Sequence, residues 1–280
     1  KNGLTNTYVR SLAVISDSLV FAGTNDGVYK TTNAGALWTL SQTTPFSVRA
    51  LSYHQPTGKI YAGTYGAGIY RSTDLGASWT AVTVTDPVSV ETLSHVWSIG
   101  VFGTDSLYAG GSILDISAGG ALFQSTDAGA TWVQVQRSIG IRSSVRSIAI
   151  SSRAPATGLI IGTANKGVYK STNGALNWTQ INAEATPGPL ADLQVNAVAF
   201  SPTHRFAGTD SIGGFYARDL GDTALGWTAG TGLPGTTAVV SGIDFNRTNP
   251  AEIYLGTEGD GVYRSLDAGL TWFTRNSGMM

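Results

Sequence analysis

Apolar and small residues alternate along this chain in short bursts, and the bursts recur in a fixed order. The first burst opens with valine: Val9-Arg10-Ser11-Leu12, Val48-Arg49-Ala50-Leu51, Val96-Trp97-Ser98-Ile99, Val145-Arg146-Ser147-Ile148, Val195-Asn196-Ala197-Val198 and Val240-Ser241-Gly242-Ile243. The second ends in Gly-Thr or a relative, as in Phe21-Ala22-Gly23-Thr24, Tyr61-Ala62-Gly63-Thr64, Tyr108-Ala109-Gly110-Gly111, Ile160-Ile161-Gly162-Thr163, Phe206-Ala207-Gly208-Thr209 and Tyr254-Leu255-Gly256-Thr257. The third, such as Gly27-Val28-Tyr29-Lys30 or Gly261-Val262-Tyr263-Arg264, runs into a turn and then a tryptophan. Those tryptophans are Trp38, Trp79, Trp132, Trp178, Trp227 and Trp272, spaced 41 to 53 residues apart. Period-two patterning with both faces apolar predicts short strands, and no stretch carries a helical period. Each period therefore holds four strands, the fourth starting at the tryptophan.

A four-stranded sheet of roughly 45 residues cannot bury both faces alone, so its neighbours must stack on it. Radial stacking hides the faces and leaves only short edges. Six periods predict an all-β, six-bladed β-propeller with four antiparallel strands per blade. One domain is expected over 1–280, with blades at 1–42, 43–83, 84–136, 137–182, 183–230 and 231–280. Asn2-Gly3-Leu4 resembles the tail after the fourth strand elsewhere, as in Thr231-Gly232-Leu233 and Ser277-Gly278-Met279. Either the first and last blades meet as complete sheets, or the chain is excised from a longer array.

Composition narrows the partners. Hydrophobic residues make up 42% of the 280, enough for a real core, while charged residues are only 12%, about half the usual share. A net charge of −1 offers no basic excess for a phosphate backbone, so no nucleic acid partner is expected. No apolar run approaches the roughly 18 residues that span a bilayer. Cysteine is absent, which removes disulfides and thiolate metal sites. The three histidines, His54, His95 and His204, are scattered without metal-ligand spacing, so neither metal nor cofactor is expected. Low charge with abundant Gly, Ser and Thr leans towards an extracellular, cell-surface or periplasmic location. Lys1 reads as the start of a mature or trimmed product.

The turn before each tryptophan follows Ser/Thr-x-Asp-x-Gly-x-x-Trp. Ser72-Thr73-Asp74-Leu75-Gly76-Ala77-Ser78-Trp79, Ser125 to Trp132 around Asp127, and Ser265 to Trp272 around Asp267 match in full. The first copy has Thr31, Asn33, Gly35 and Trp38. The fourth has Ser171, Asn173 and Trp178 with its glycine one place early at Gly174, and the fifth keeps Asp219 and Gly221 but inserts three residues before Trp227. These repeats resemble the Asp-box, or BNR repeat, of a β-propeller superfamily, and the resemblance covers essentially the whole chain. A short carboxylate or amide accepts backbone N–H groups inside such a turn, glycine supplies the positive φ, and the hydroxyl adds a local bond. Asn33, Asp74, Asp127, Asn173, Asp219 and Asp267 are thus expected to brace turns rather than catalyse, with the indoles packed between blades.

In propellers of this kind, the resemblance implies, ligands bind at the mouth opposite the boxes. The position after each first-strand valine is Arg10, Arg49, Trp97, Arg146, Asn196 and Ser241, so three arginines could hold a carboxylate, sulfate or phosphate by forked hydrogen bonds. Trp97 could offer a flat face to a sugar ring or aromatic group. The competing reading is that the arginines pair with nearby acids and Trp97 plugs the channel. Long connections add candidates: Gly111 to Gly120 with Asp115, Val82 to His95 with Asp86 and Glu91, and Asn182 to Gln194 with Glu184, Asp192 and a Pro187-Gly188-Pro189 stiffener. The predicted ligand-binding set is Arg10, Arg49, Trp97, Arg146, Asn196, Asp115 and His95. Asp26, Asp210, Glu258 and Asp260 fall in second-to-third-strand connections, where they read either as catalytic or cation-binding carboxylates or as ordinary hairpin turn residues.

Sialidases, which resemble this pattern, use an arginine triad with a tyrosine–glutamate pair. This chain lacks an Arg-Ile-Pro segment near its start, and no such pair is identifiable among Glu91, Glu184, Glu252 and Glu258. Xyloglucan-type endoglucanases set two larger propellers across a cleft, whereas one is present here. Non-catalytic relatives, similar to photosystem II assembly factors and sortilin ectodomains, are binding platforms. The expectation is an exported binding or interaction propeller that holds a protein or glycan at its mouth, with no catalytic residue assigned. A glycan-active hydrolase using acids such as Asp115, Glu91 or Asp260 is the alternative, and a structural module of a repeat array is a second one.

Overall fold

The computed structural model describes residues 2–43, 47–113, 120–135, 143–151, 158–182, 190–210, 214–220, 226–231, 233 and 239–277. It is a six-bladed β-propeller of four-stranded antiparallel sheets, each in simple up-and-down order. Blade 1 holds β1 (Val9–Val14), β2 (Val20–Thr24), β3 (Gly27–Thr31) and β4 (Thr39–Thr43), and blade 2 holds β5 (Val48–His54), β6 (Lys59–Thr64), β7 (Ile69–Ser72) and β8 (Thr80–Val82). Blade 3 holds β9 (Leu93–Phe102), β10 (Ser106–Ile113), β11 (Gly120–Ser125) and β12 (Val133–Gln134). Blade 4 holds β13 (Val145–Ile150), β14 (Leu159–Thr163), β15 (Val168–Ser171) and β16 (Thr179–Gln180). Blade 5 holds β17 (Val195–Phe200), β18 (His204–Thr209), β19 (Phe215–Asp219) and β20 (Thr228–Ala229), and blade 6 holds β21 (Val240–Phe245), β22 (Ile253–Thr257), β23 (Gly261–Ser265) and β24 (Phe273–Thr274). Each fourth strand starts one residue after its tryptophan rather than at it, because the indole belongs to the preceding turn. Among the described residues a single 3-10 turn, Gln55–Thr57, interrupts the strands, and no helix is long and apolar enough to cross a membrane.

Contacts group the chain into two compact units, 1–145 and 146–280. In the first, blades 1 and 2 share a core of Phe21, Val28, Val48, Ile60 and Ala62, and blades 2 and 3 share Tyr61, Ile69, Leu93, Val96, Leu107, Phe123 and Trp132. In the second, Ile160, Val168, Ile181, Val195 and Trp227 join blades 4 and 5, and Phe206, Phe215, Val240, Leu255 and Trp272 join blades 5 and 6.

Two of the repeated motifs explain each other. A Cβ on the second-strand glycine would lie 2.5 Å from Val96 at Gly63, and 2.4 Å from Val240 at Gly208. The first-strand valine of the next blade sits where that side chain would be, so small and branched residues alternate across the interface. The threonine after this glycine then closes the following turn: Thr64 Oγ1 donates to the Gly68 carbonyl at 2.9 Å, and Thr163 Oγ1 to that of Gly167 at 2.8 Å.

Candidate functional site

The turns between third and fourth strands form one end of each blade. Ser72 Oγ donates to Asp74 Oδ1 (2.8 Å) and accepts the Gly76 N–H, while Asp74 accepts the Ser78 N–H (2.9 Å) and hydroxyl (2.5 Å). Ser125, Asp127 and Thr131 repeat this, as do Ser265, Asp267 and Thr271. Asn33 and Asn173 make the backbone part of the set, to Leu37 and Asn177. The Ser78 hydroxyl and N–H hold Asp74 down to about pKa 2, and those of Thr131 do the same for Asp127. Both oxygens of each carboxylate accept from groups of its own turn.

These turns also lock blades together. A Cβ at Gly76 would lie 2.4 Å from the Phe21 ring, and one at Gly269 would lie 2.4 Å from Phe215. Trp79 meets Phe21 edge-on at 6.4 Å, Trp272 meets Phe215 at 4.8 Å, and Trp227 Nε1 reaches the Ile181 carbonyl at 2.6 Å. Tyr61 donates to the Ala128 carbonyl of the next blade's turn, and burial pushes its phenol up to about 12. Trp38 and Trp178 are half-buried. In the fourth copy Ala175, at φ +72°, takes the consensus glycine position behind Gly174. Asp219 ends β19, while Gly221 lies outside the described residues.

The opposite end carries a feature of pairing. Val48 faces Thr64 and Ala50 faces Gly63, so Arg49 is an extra residue in the ladder, and the same shift isolates Arg10, Trp97, Asn196 and Ser241. A bulge of this kind re-aims one side chain out of the sheet pattern. The predicted positions are therefore the bulged ones in all these blades.

What the bulges hold differs between blades. The Arg49 guanidinium carbon lies 5.3 Å from the Trp97 ring and 5.4 Å from Tyr65. Tyr65 in turn meets Trp97 at 5.4 Å and His95 at 4.3 Å, both edge-on, and His95 Nδ1 is 2.8 Å from Ser94 Oγ. The indole N–H of Trp97 is buried without a hydrogen-bond partner. Arg10 is exposed and donates to Asn25 Oδ1 at 3.2 Å, which also accepts from Ser47. In the second unit Arg146 donates to Asn196 Oδ1, and Asn196 Nδ2 to Asp210 Oδ1 at 3.1 Å. Ser241 caps the Gly256 carbonyl at 3.2 Å.

Arg49, Trp97 and His95 thus come together, joined by Tyr65, which sequence reasoning passed over although an aromatic stands there in a turn that carries Asn25 and Ala164 in other blades. Asp115 and Glu184 lie outside the described residues. His95 is part of β9, which begins three residues ahead of the expected strand start at Val96.

Asp26, Asp86, His54 and His204 have side-chain partners, and Asp260 is engaged through its backbone. Asp26 accepts the Thr24 hydroxyl at 2.6 Å, Asp86 accepts Ser89 Oγ at 2.8 Å, and the Asp260 carbonyl accepts Asn276 Nδ2 at 2.9 Å. His54 is buried between Thr57 Oγ1 (2.7 Å) and the Gly103 carbonyl (2.8 Å), and His204 stacks on Phe206 with its pKa lowered by burial. Among the described residues no three His, Asp or Glu side chains group as a metal site. A tyrosine–glutamate pair does exist, contrary to expectation from sequence: Tyr254 donates to Glu252 at 2.6 Å, beside Arg264 at 2.6 Å. It sits at the end of blade 6 away from the Ser241 bulge, and its hydrogen bond to Glu252 raises the Tyr254 pKa, the reverse of what activates a phenolate nucleophile.

No protein-family model matches this sequence, and no curated protein matches it. Solved structures do. YCF48 bound to D1 peptide is similar with a TM-score of 0.68 at 16% identity, over 97% of this chain and 82% of that one. An ancestral GH74 enzyme gives 0.71 at 24% identity over 92% of this chain, and the GH74 enzyme of Niastella koreensis 0.71 at 19% over 98%. This chain spans 36% and 46% of the lengths of those two enzymes. At such identities the likeness carries the fold, and site chemistry has to be argued from the residues.

Proposed function

We propose that this chain is an exported, non-catalytic binding propeller of the Asp-box type, which holds an anionic group of a protein or glycan ligand at the bulge end of blades 2 and 3. The observation that carries this is the Arg49 guanidinium set against both Trp97 and Tyr65 on a bulge. Aromatic faces orient a guanidinium, and its planar fork matches a carboxylate, sulfate or phosphate. At the equivalent position Arg146 donates to Asn196, whose amide donates to Asp210. Asp-box membership rests on the repeated Ser-Asp-Gly-Trp bonding, and the peptide in the YCF48 structure supports a protein ligand.

A hydrolase reading has one favourable observation, the GH74 neighbours. Asp26 accepts the Thr24 hydroxyl and Asp210 the Asn196 amide, so these two acids brace the bulge end rather than form the carboxylate pair that glycoside hydrolysis uses. Arrays of acidic peptides and of sialylated, sulfated and neutral glycans, probed with the purified chain and its Arg49→Ala/Trp97→Ala variant, test the proposal. Acid-dependent binding lost in the variant is the expected result. Equal binding by both proteins rejects the site, and release of sugar from bound glycan replaces it with the hydrolase.

A further inference from the structure

Beside the Arg49 stack a cavity of about 270 Å³ opens between blades 2 and 3. Its walls are the Gly66-Ala67-Gly68 turn, the end of β8 through Val84, and Thr92 to Ser94. No charged side chain lines it. Much of its backbone polarity is already engaged: the Gly66 and Gly68 N–H groups donate to the Ser94 carbonyl at 3.1 and 2.9 Å, the Gly68 carbonyl accepts from Thr64, and the Val84 carbonyl accepts the Leu93 N–H at 2.9 Å. The Thr92 hydroxyl pairs with that of Thr85 at 2.7 Å. Ala67, Ala81, Val82, Val84 and Leu93 supply hydrocarbon. A sugar ring would leave its hydroxyls short of partners among such groups, whereas an aliphatic or aromatic side chain loses no hydrogen bond on entry. The volume is below that of a drug-sized site and suits one large side chain.

A second feature points the same way. The hairpin 85–92 that borders the cavity is pinned by buried Asp86, which accepts the Ser89 hydroxyl and the Val88 and Ser89 N–H groups. At its tip Val88 and Val90 are 82% and 77% exposed, and Val90 stands at φ +61°. A β-branched residue in the left-handed region is strained, and such strain concentrates at binding sites. The valines are exposed on the hairpin whose flanking residues Val84 and Thr92 line the crevice. On the other side the wall residues Gly66 and Ser94 adjoin Tyr65 and His95 in the chain, so the cation stack begins where the apolar wall ends.

We infer that this crevice is the anchor pocket for one Leu, Ile or Phe side chain of an extended acidic peptide whose nearby Asp or Glu reaches Arg49. The inference rests on Arg49 as the anion holder and adds the class of ligand. The test is an array of short peptides that pair Leu, Ile or Phe with Asp or Glu at several spacings, alongside versions with Ser for the apolar residue or Asn for the acid. Wild-type binding should fall at least about tenfold with the Ser versions. Thr83→Trp, which plugs the crevice from an exposed rim position, should fall equally with its melting temperature kept, while Arg49→Ala should remove only the preference for acid over amide. Acid-dependent binding that is indifferent to Ser and to Thr83→Trp overturns the pocket and leaves the Arg49 reading standing. Apolar-dependent binding without acid preference overturns the acidic half. Binding by no peptide above an Arg49→Ala/Thr83→Trp background overturns both.

Discussion

At the box end of the blades Ser72, Asp74 and Ser78 return as Ser125, Asp127 and Thr131 and again as Ser265, Asp267 and Thr271, bond for bond. At the bulge end one backbone device returns instead, and it carries Arg10, Arg49, Trp97, Asn196 and Ser241 in turn. Repetition of side chains marks positions that every blade needs for its own stability. Repetition of a backbone kink with a changing side chain marks a scaffold on which individual residues are free to specialise. Arg49 among rings and Arg146 against an amide–carboxylate relay show two outcomes at equivalent positions.

The two ends should therefore separate under mutation. The largest effect belongs to the box end: Trp272→Ala removes an indole packed on Phe215 and should cost about 3–5 kcal/mol in chemical denaturation, with ligand binding at Arg49 retained. A loss no greater than a surface substitution would break the comparison. At the other end, Arg49→Ala/Trp97→Ala should cut ligand affinity tenfold or more by calorimetry and shift stability by at most about 1 kcal/mol, since Arg49 is partly exposed and the Trp97 N–H is buried unbonded.

Asn196→Ala tests the second unit. It strips Arg146 and Asp210 of their shared partner and should cost about 1–2 kcal/mol in urea unfolding, leaving Arg49-dependent binding intact. A matching loss of binding would make the relay part of the ligand site. The smallest effect is a pH slope. The Asp74 and Asp127 carboxyls, held near pKa 2 against an ordinary 3.8, stabilise the fold fully above the unfolded value and lose that contribution as pH falls through the folded one. The melting temperature should drop between pH 4 and pH 2, and Asp74→Asn/Asp127→Asn should flatten that drop. Their exposure keeps the effect small.

The strands were legible because the pattern that makes them is local to each blade. Ser-x-Asp-x-Gly writes its hydrogen bonds within a few residues of itself, and the Val-x-small-Leu and Gly-Thr motifs pair within one blade. Bulges were not legible, since an extra residue exists only relative to a partner strand. Tyr65 was missed for the same reason: its neighbours His95 and Trp97 come from the next blade, about thirty positions on. The Tyr254–Glu252 pair escaped because residues two apart on a strand read as unrelated until Arg264 and Asn246 converge on the glutamate.

The sequence by itself determined the blade: the number of strands, the turn that closes them and the aromatic wedge between sheets, all consequences of short-range sterics and apolar periodicity repeated six times. Tertiary structure decided which polar residues act together. It set Arg49 against two rings and Arg146 against an amide, and it opened an apolar crevice beside the first. Those arrangements depend on how one blade's kinked first strand meets its neighbour's turn, a distance in space that no spacing along the chain encodes.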